Sequence, residues 1–101
     1  MIGRLLIVAA MMFWAGIGVA HAAGNVAAGK VKAAICAGCH GAEGQGVGSY
    51  PPLKGLSEAQ IVQNLKDFKS GKRDNPVMKG ITAGLRDPDI ANLAAYFASL
   101  K

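Results

Sequence analysis

The feature that most limits how this chain can fold is a short motif: residues 36–40 read Cys-Ala-Gly-Cys-His and contain both cysteines of the chain. Two thiols three residues apart lie about one helical turn from each other, so they can bond to two groups on one edge of a flat molecule. His40 follows at once and brings an imidazole to the same place. This order of residues is that of covalent haem attachment. We therefore predict one haem c per chain, bonded to Cys36 and Cys39, with His40 as an iron ligand.

Two other uses of the motif are open. A structural zinc ion needs about four ligands, and beyond Cys36, Cys39 and His40 the only other histidine is His21, in a segment that we expect to be removed. A redox-active dithiol of the thioredoxin type is expected at the start of a helix that follows a strand. No run of β-branched residues precedes Cys36. The residues favour haem over both alternatives.

The N-terminus has the pattern of a cleavable export signal. Arg4 gives the first residues a positive charge, residues 5–19 are almost entirely apolar, and Ala20 and Ala22 fit the small-x-small cleavage pattern. The alternative is a retained membrane anchor, but the apolar stretch is shorter than the ~20 residues of a spanning helix. We predict that residues 1–22 are a removed signal and that residues 23–101 form one domain without stable membrane insertion.

A single domain of this size buries only a marginal core and usually needs a metal, disulfide or cofactor to stabilise it. A covalent haem would supply a large apolar plate at the centre of the molecule. We therefore expect the chain without haem to be poorly folded.

Met78 is the only methionine after the predicted signal. An electron-transfer haem needs its sixth position filled in both oxidation states, and a neutral, soft thioether opposite a histidine raises the reduction potential. The alternative is that Met78 is a flexible core residue. Its setting, Asn-Pro-Val-Met-Lys-Gly at residues 75–80, indicates a constrained loop. We predict that His40 and Met78 are the two axial ligands.

The rest of the pattern predicts helices and loops without a strand. A first helix begins after Asn25 and runs into the haem motif, and a loop rich in glycine and proline covers residues 41–55. Ser57 and Gln60 form a capping box for a second helix, which Gly71 ends. Asp87 is predicted to cap a last helix whose apolar residues recur at helical spacing.

This order of parts resembles the class I c-type cytochromes over nearly the whole mature chain. Residues 65–78 are especially similar to one half of the dihaem cytochrome c4 group and to small single-haem cytochromes of the c-553 or c5-like kind. The resemblance implies an all-α cytochrome c fold, with three main helices and loops wrapped around one covalent haem. It also implies a periplasmic location. Only one haem motif is present, so properties that need two haems are not implied.

The resemblance also implies roles for single residues. The carbonyl of Pro51 would accept a hydrogen bond from the other ring nitrogen of His40, with Pro52 as the neighbouring alternative. Leu53 and Leu93 would pack on the haem.

Two further pairs have implied roles. Gly29 and Tyr96 would lie where the first and last helices cross. Tyr50 and Arg73 are candidate donors to the haem propionates, or else surface groups.

The charge balance indicates protein partners. The net charge of +5 falls to about +4 without Arg4 and to about +2 with two haem propionates, which is too small for a nucleic-acid binder. Basic residues from loops around the cofactor could form a rim that docks acidic patches on redox partners, or an ordinary solvated surface; they are Lys54, Lys72, Arg73, Lys79 and Arg86.

Together these features predict a periplasmic one-electron carrier that moves electrons between larger redox proteins and is not itself an enzyme. Two alternatives are a haem subunit held inside a dehydrogenase complex and a five-coordinate haem enzyme or sensor. The last would need polar groups beside the haem, and the mature chain has no second histidine.

Overall fold

The computed structural model describes residues 24–100, and this part of the chain forms five helices joined by loops. Among these residues the only β-type pairing is an isolated bridge between Val47 and Tyr50. The all-α prediction is therefore confirmed, and the predicted export signal at residues 1–22 lies outside the described residues. The helices are α1 (Val26–Lys32), α2 (Ala34–His40), α3 (Glu58–Ser70), α4 (Pro76–Ala83) and α5 (Asp87–Ser99).

The predicted first helix is divided into α1 and α2 at Ala33. Asn25 caps α1 as expected, since its side-chain oxygen accepts a hydrogen bond from the backbone N–H of Ala28 at 2.8 Å. Helix α2 carries the whole Cys-Ala-Gly-Cys-His motif and ends at His40. The loop predicted for residues 41–55 follows it, with no helix until Glu58.

Helix α3 has the boundaries that its sequence predicts. The Ser57 hydroxyl accepts the N–H of Gln60 at 3.1 Å, and the Gln60 side chain accepts the N–H of Ser57 at 2.9 Å. Gly71 ends the helix in the left-handed conformation, with φ +84°. Both ends of this helix are thus set by residues adjacent to it in sequence.

The prediction of a loop around Met78 was wrong, because Met78 lies in the first turn of α4. Asn75 is the N-cap of this helix and accepts the N–H of Met78 at 3.0 Å, while Pro76 occupies the first helical position. Proline is favoured there because that position has no intrahelical partner for an N–H. The same Asn-Pro pair therefore begins a helix.

The predicted cap of the last helix was displaced by one residue. Arg86 occupies the N-cap position, and its backbone N–H donates to Asp89 Oδ2 at 2.9 Å. This bond holds the pKa of the Asp89 carboxyl below its usual range, and the nearby charges of Lys32 and Arg86 act in the same direction. The Lys32 Nζ lies 3.9 Å from Asp89 Oδ2, which links α1 to the start of α5.

The core lies mainly on α5, whose Ile90, Leu93, Ala94 and Phe97 are buried against α1 and α3. Gly29 lies directly on the backbone of α5, since a Cβ at this position would be only 2.0 Å from the carbonyl oxygen of Asn92 and 2.8 Å from the Cβ of Tyr96. The expected crossing of the first and last helices is therefore present. No helix within residues 24–100 has both the length and the apolar character needed to cross a bilayer.

Candidate functional site

A cavity of about 570 Å³ opens between α2, α3, α4 and the loop after His40. Its volume is within the range of sites that hold small-molecule cofactors. The wall includes most of the residues that the sequence singled out, from four different parts of the chain. They are Cys36, Cys39, His40, Tyr50, Pro51, Pro52, Leu53, Arg73, Met78 and Leu93.

His40 is buried, with 6% of its surface exposed, and its orientation is set by the loop that follows it. Its Nδ1 donates a hydrogen bond to the carbonyl oxygen of Pro51 at 2.7 Å. A proton on Nδ1 leaves the lone pair of Nε2 free to bind a metal, and the hydrogen bond makes that nitrogen a stronger donor. The carbonyl of Pro51, and not that of Pro52, has this role. Tyr50 packs edge-on against the imidazole, with 6.0 Å between the ring centroids.

Gly44 holds the loop in the shape that brings Pro51 and Leu53 to the cavity. Its carbonyl oxygen accepts the N–H groups of Leu53 at 2.7 Å and of Lys54 at 2.9 Å. Its φ is +68°, and a Cβ here would lie 2.7 Å from the ring of Phe97. Only glycine meets both conditions without strain. The loop is therefore pinned to α5 at the position of Gly44.

The two cysteine thiols face the cavity, and the pKa of Cys36 argues against a reactive dithiol. Both are free and partly buried in α2, and both line the cavity. Burial raises the pKa of the Cys36 thiol, and the neighbouring Cys39 raises it further. Redox-active dithiols depend on the opposite shift, a lowered pKa that produces thiolate at neutral pH.

The zinc alternative has no support in the described residues. No group of three or more His, Cys, Asp or Glu side chains within residues 24–100 converges in a way that could hold a metal ion. The donor set at the cavity is instead one imidazole, one thioether and two thiols on a largely apolar wall. This set suits haem c, which needs two thiols for covalent bonds and up to two ligands for its iron.

Met78 reaches the cavity from the side of α4. It is partly buried, whereas its neighbour Val77 is 63% exposed. Leu53 and Leu93 contribute to the apolar wall, and Leu93 is fully buried. His40 and Met78, which are 38 positions apart in the printed numbering, thus face one cavity from different helices.

The basic residues of the predicted rim have different surroundings. Arg73 lines the cavity, and its guanidinium lies 4.3 Å from the centroid of the Phe68 ring. Lys54 is paired with Glu43 at 3.7 Å, and Arg86 with Asp89 at 3.6 Å. Lys72 and Lys79 are exposed.

The sequence reasoning missed several residues of the cavity wall. Helix α3 contributes Asn64, Leu65 and Phe68, which lie on one helical face, and α4 contributes Ile81. The apolar spacing of α3 was visible in the sequence, but it does not show whether that face meets the core or a cofactor. Asn64 accepts a hydrogen bond from Arg73 Nη1 at 3.4 Å.

Comparison with known proteins agrees with this geometry. The family model described as cytochrome c matches residues 26–101. Cytochrome c4 from Pseudomonas aeruginosa is 47% identical over 85 residues, which are 83% of this chain and 42% of that protein. A protein from Thiomonas intermedia named thiosulfate dehydrogenase electron acceptor is 38% identical, over 97% of this chain and 44% of that protein.

The fold is also similar to that of a solved relative. The crystal structure of reduced recombinant cytochrome c4 from Pseudomonas stutzeri has a TM-score of 0.74 and 35% identity, over 78% of this chain and 47% of that chain. The chain thus spans less than half the length of these relatives. With a family match over most of its length and a cavity whose donors fit the cofactor, the chain belongs to the cytochrome c family and carries one covalently attached haem c.

Proposed function

We propose that this chain is a periplasmic one-electron carrier in which Cys36 and Cys39 hold the haem covalently and His40 and Met78 are the axial ligands. The observation that carries the proposal is that a buried imidazole, with its Nδ1 bonded to Pro51, and the Met78 thioether line the same cavity. When bound, the haem supplies a one-electron Fe(III)/Fe(II) couple. We further propose that residues 1–22 are the export signal and residues 23–101 the mature domain.

The protein's own residues act by fixing ligands and excluding water. The hydrogen bond that His40 Nδ1 donates to the carbonyl of Pro51 keeps His40 in one tautomer and one orientation in both oxidation states. The Met78 thioether has no proton to lose, so its ligating form does not change near neutral pH. Apolar side chains such as Leu53, Leu93 and Phe97 keep water from the iron, and a dry site favours the less charged ferrous state. Electron transfer requires ligands that stay bound and a site that excludes water, whereas catalysis at the iron requires an open coordination position.

Replacing Met78 tests the ligation directly. We expect Met78→Leu, which keeps most of the volume but removes sulfur, and Met78→Ala to retain covalent haem. Both should lose the red absorption band of sulfur-to-ferric-iron ligation and lower the potential on the order of one to a few hundred millivolts. Spectroscopy and redox titration measure both effects.

Gly80→Ala is a suitable control for these variants, because it lies in the same helix, outside the cavity wall, and a Cβ there meets no atom within 4 Å. It should keep the band and the potential. A wild-type ferric protein that lacks the sulfur band and binds cyanide at once would contradict the carrier proposal. It would favour the five-coordinate enzyme or sensor instead.

Donor and acceptor are proposed to be redox proteins with acidic docking patches. Lys72 and Arg73 lie in the segment that leads into α4, and Lys79 lies in α4. Arg73 also lines the cavity. Such charges speed the encounter of two proteins, and salt screens them over about 10 Å at 0.1 M.

We therefore expect the bimolecular rate of electron transfer to an acidic redox protein to fall about tenfold between low and physiological ionic strength. Stopped-flow absorption measures this rate. Lys72→Glu together with Lys79→Glu should weaken the salt dependence, whereas Lys30→Glu, the same kind of charge change on α1, should have a smaller effect. A rate that does not depend on salt would indicate that these basic residues form an ordinary solvated surface and do not dock a partner.

A second candidate function is that of a dedicated partner of one oxidoreductase. The name of the Thiomonas relative, thiosulfate dehydrogenase electron acceptor, supports this candidate. Co-purification of this chain with a dehydrogenase at fixed stoichiometry would favour it over a free carrier. Isolation of the chain alone, with fast reduction by several donors, would favour the free carrier.

A further inference from the structure

Both backbone polar groups of Met78 are held by side chains, one from the N-cap of α4 and one from the helix itself. The N–H of Met78 donates to Asn75 Oδ1 at 3.0 Å, and the carbonyl oxygen of Met78 accepts from Thr82 Oγ1 at 2.7 Å. Asn75 precedes Met78 by three residues, and Thr82 follows it by four. The N–H and the carbonyl of Met78 are thus both hydrogen-bonded to side chains.

Of the two side chains that bind the Met78 backbone, that of Thr82 is buried, and none of its surface is exposed. A hydroxyl in such a place must form a hydrogen bond, because an unsatisfied one is costly. Threonine in a helix commonly donates to the carbonyl four residues earlier. The Thr82 hydroxyl has that geometry, and it also lies 3.3 Å from the carbonyl oxygen of Lys79. Because Met78 lies one turn before this buried threonine, the carbonyl that accepts the bond is that of the proposed iron ligand.

Further hydrogen bonds connect Thr82 to the rest of the molecule. The carbonyl of Thr82 accepts the N–H of Leu85 at 3.0 Å, and Leu85 is itself buried. The carbonyl of Leu85 accepts a hydrogen bond from the Lys69 ammonium, in the last turn of α3. A line of hydrogen bonds therefore runs from Asn75 through Met78, Thr82 and Leu85 to α3.

This line matters because α4 has only eight residues. A helix of two turns is marginal by itself, and its first turn is the part that opens most readily. Met78 lies in that first turn. Without the two side-chain bonds, its backbone would leave the helix more readily and take the thioether with it.

We propose that Asn75 and Thr82 are positioning residues that hold the backbone of Met78 so that its sulfur stays on the iron in both oxidation states. This inference rests on the proposed ligation by His40 and Met78. Neither residue needs to touch the iron. Their effect is on how often the sulfur detaches, because each bond raises the free energy of opening the first turn of α4.

The test uses the haem-loaded protein and matched variants at each position. Thr82→Val keeps the shape and removes the hydroxyl, whereas Thr82→Ser keeps the hydroxyl. Asn75→Ala removes the cap, whereas Asn75→Ser restores a capping oxygen. The measured quantities are the rate at which imidazole replaces the sixth ligand of the ferric protein, the intensity of the sulfur–iron absorption band, and the midpoint of denaturant unfolding.

We expect Thr82→Val and Asn75→Ala to bind imidazole on the order of tenfold faster than the wild type, as the loss of one such hydrogen bond implies. The Ser variants should recover most of the slow rate. A purely structural role would change the unfolding midpoint and leave the imidazole rate unchanged, and that result would overturn the proposal. Equal rates for Thr82→Val and Thr82→Ser would also overturn it for Thr82.

The two levels of proposal fail in different ways. If the wild-type ferric protein has no sulfur band, the axial ligation fails, and the positioning role fails with it. If the band is present and the variants bind imidazole at the wild-type rate, only the positioning role fails. Asn75 is exposed, so its variants supply the answer even if Thr82→Val does not fold.

Discussion

Replacement of both Cys36 and Cys39 by serine is expected to yield a chain without bound haem and without a stable fold. The physical reason is the cavity of about 570 Å³ in a small domain, whose apolar wall would lose the packing contacts that the haem supplies. A domain of this size has a marginal core, and its entire folding free energy is only about 5–15 kcal/mol.

Intact mass, the colour that remains after acidic solvent extraction, and circular dichroism measure this result. The chain must be made in a host that attaches haem c. Ala37→Ser, which changes the same helix but leaves both thiols, should keep the covalent haem and the helical signal. Covalent haem on the double variant would contradict the assignment of the two cysteines. A colourless wild-type product with only the mass of its amino acids would contradict the whole haem assignment.

Replacement of Gly29 by alanine is expected to destabilise the protein by about 3 kcal/mol or more. The added methyl group would lie 2.0 Å from the carbonyl oxygen of Asn92, which is backbone and cannot rotate away. Helix α1 would have to move off α5, and the hydrogen bond from the N–H of Asn25 to Asn92 Oδ1, 2.7 Å long, would be lost with it. Denaturant unfolding of the haem-loaded protein measures the change.

Gly80→Ala is the matched control for this change, since it also places a methyl group inside a helix. A Cβ there has no neighbour within 4 Å, and alanine is the better helix former by up to about 1 kcal/mol. The control should be neutral or stabilising. If Gly29→Ala unfolded at the wild-type denaturant concentration, the close crossing of α1 and α5 would not contribute to stability.

Local patterns in the sequence predicted the elements whose ends are set by neighbouring residues. Helix α3 is the clearest example, because the hydrogen bonds at its ends join Ser57, Gln60 and Gly71 to residues a few positions away. The cysteine motif likewise predicted the cofactor without any knowledge of the fold. Predictions of this kind hold because they do not depend on what the helix or motif packs against.

Two local predictions failed for related reasons. The Asn-Pro pair at residues 75–76 is compatible with both a loop and the start of a helix, and packing of α4 on α3 favours the helix. At the start of α5, Asp87 and Asp89 both fit a capping pattern, and the side chain that accepts the backbone N–H of Arg86, at 2.9 Å, is that of Asp89. Lys32 of α1, 3.9 Å from Asp89, adds a contact that no pattern within α5 shows.

The contacts within the site depend on long-range structure to an even greater extent. The bond between His40 and the Pro51 carbonyl was expected only through resemblance to a family, since spacing alone cannot show where a carbonyl oxygen lies. The wall that α3 adds through Asn64 and Phe68 was not anticipated at all. Both depend on how separate segments meet in space.

The crossing of α1 and α5 has a consequence for the order of events when the molecule is made. Asn25 and Asn92 are 67 positions apart, so the two helices that lock against each other are the first and the last of the described fold. The fold cannot close until the segment of α5 has packed on that of α1. Before this contact forms, the thiols belong to an open chain and are accessible to whatever machinery modifies them.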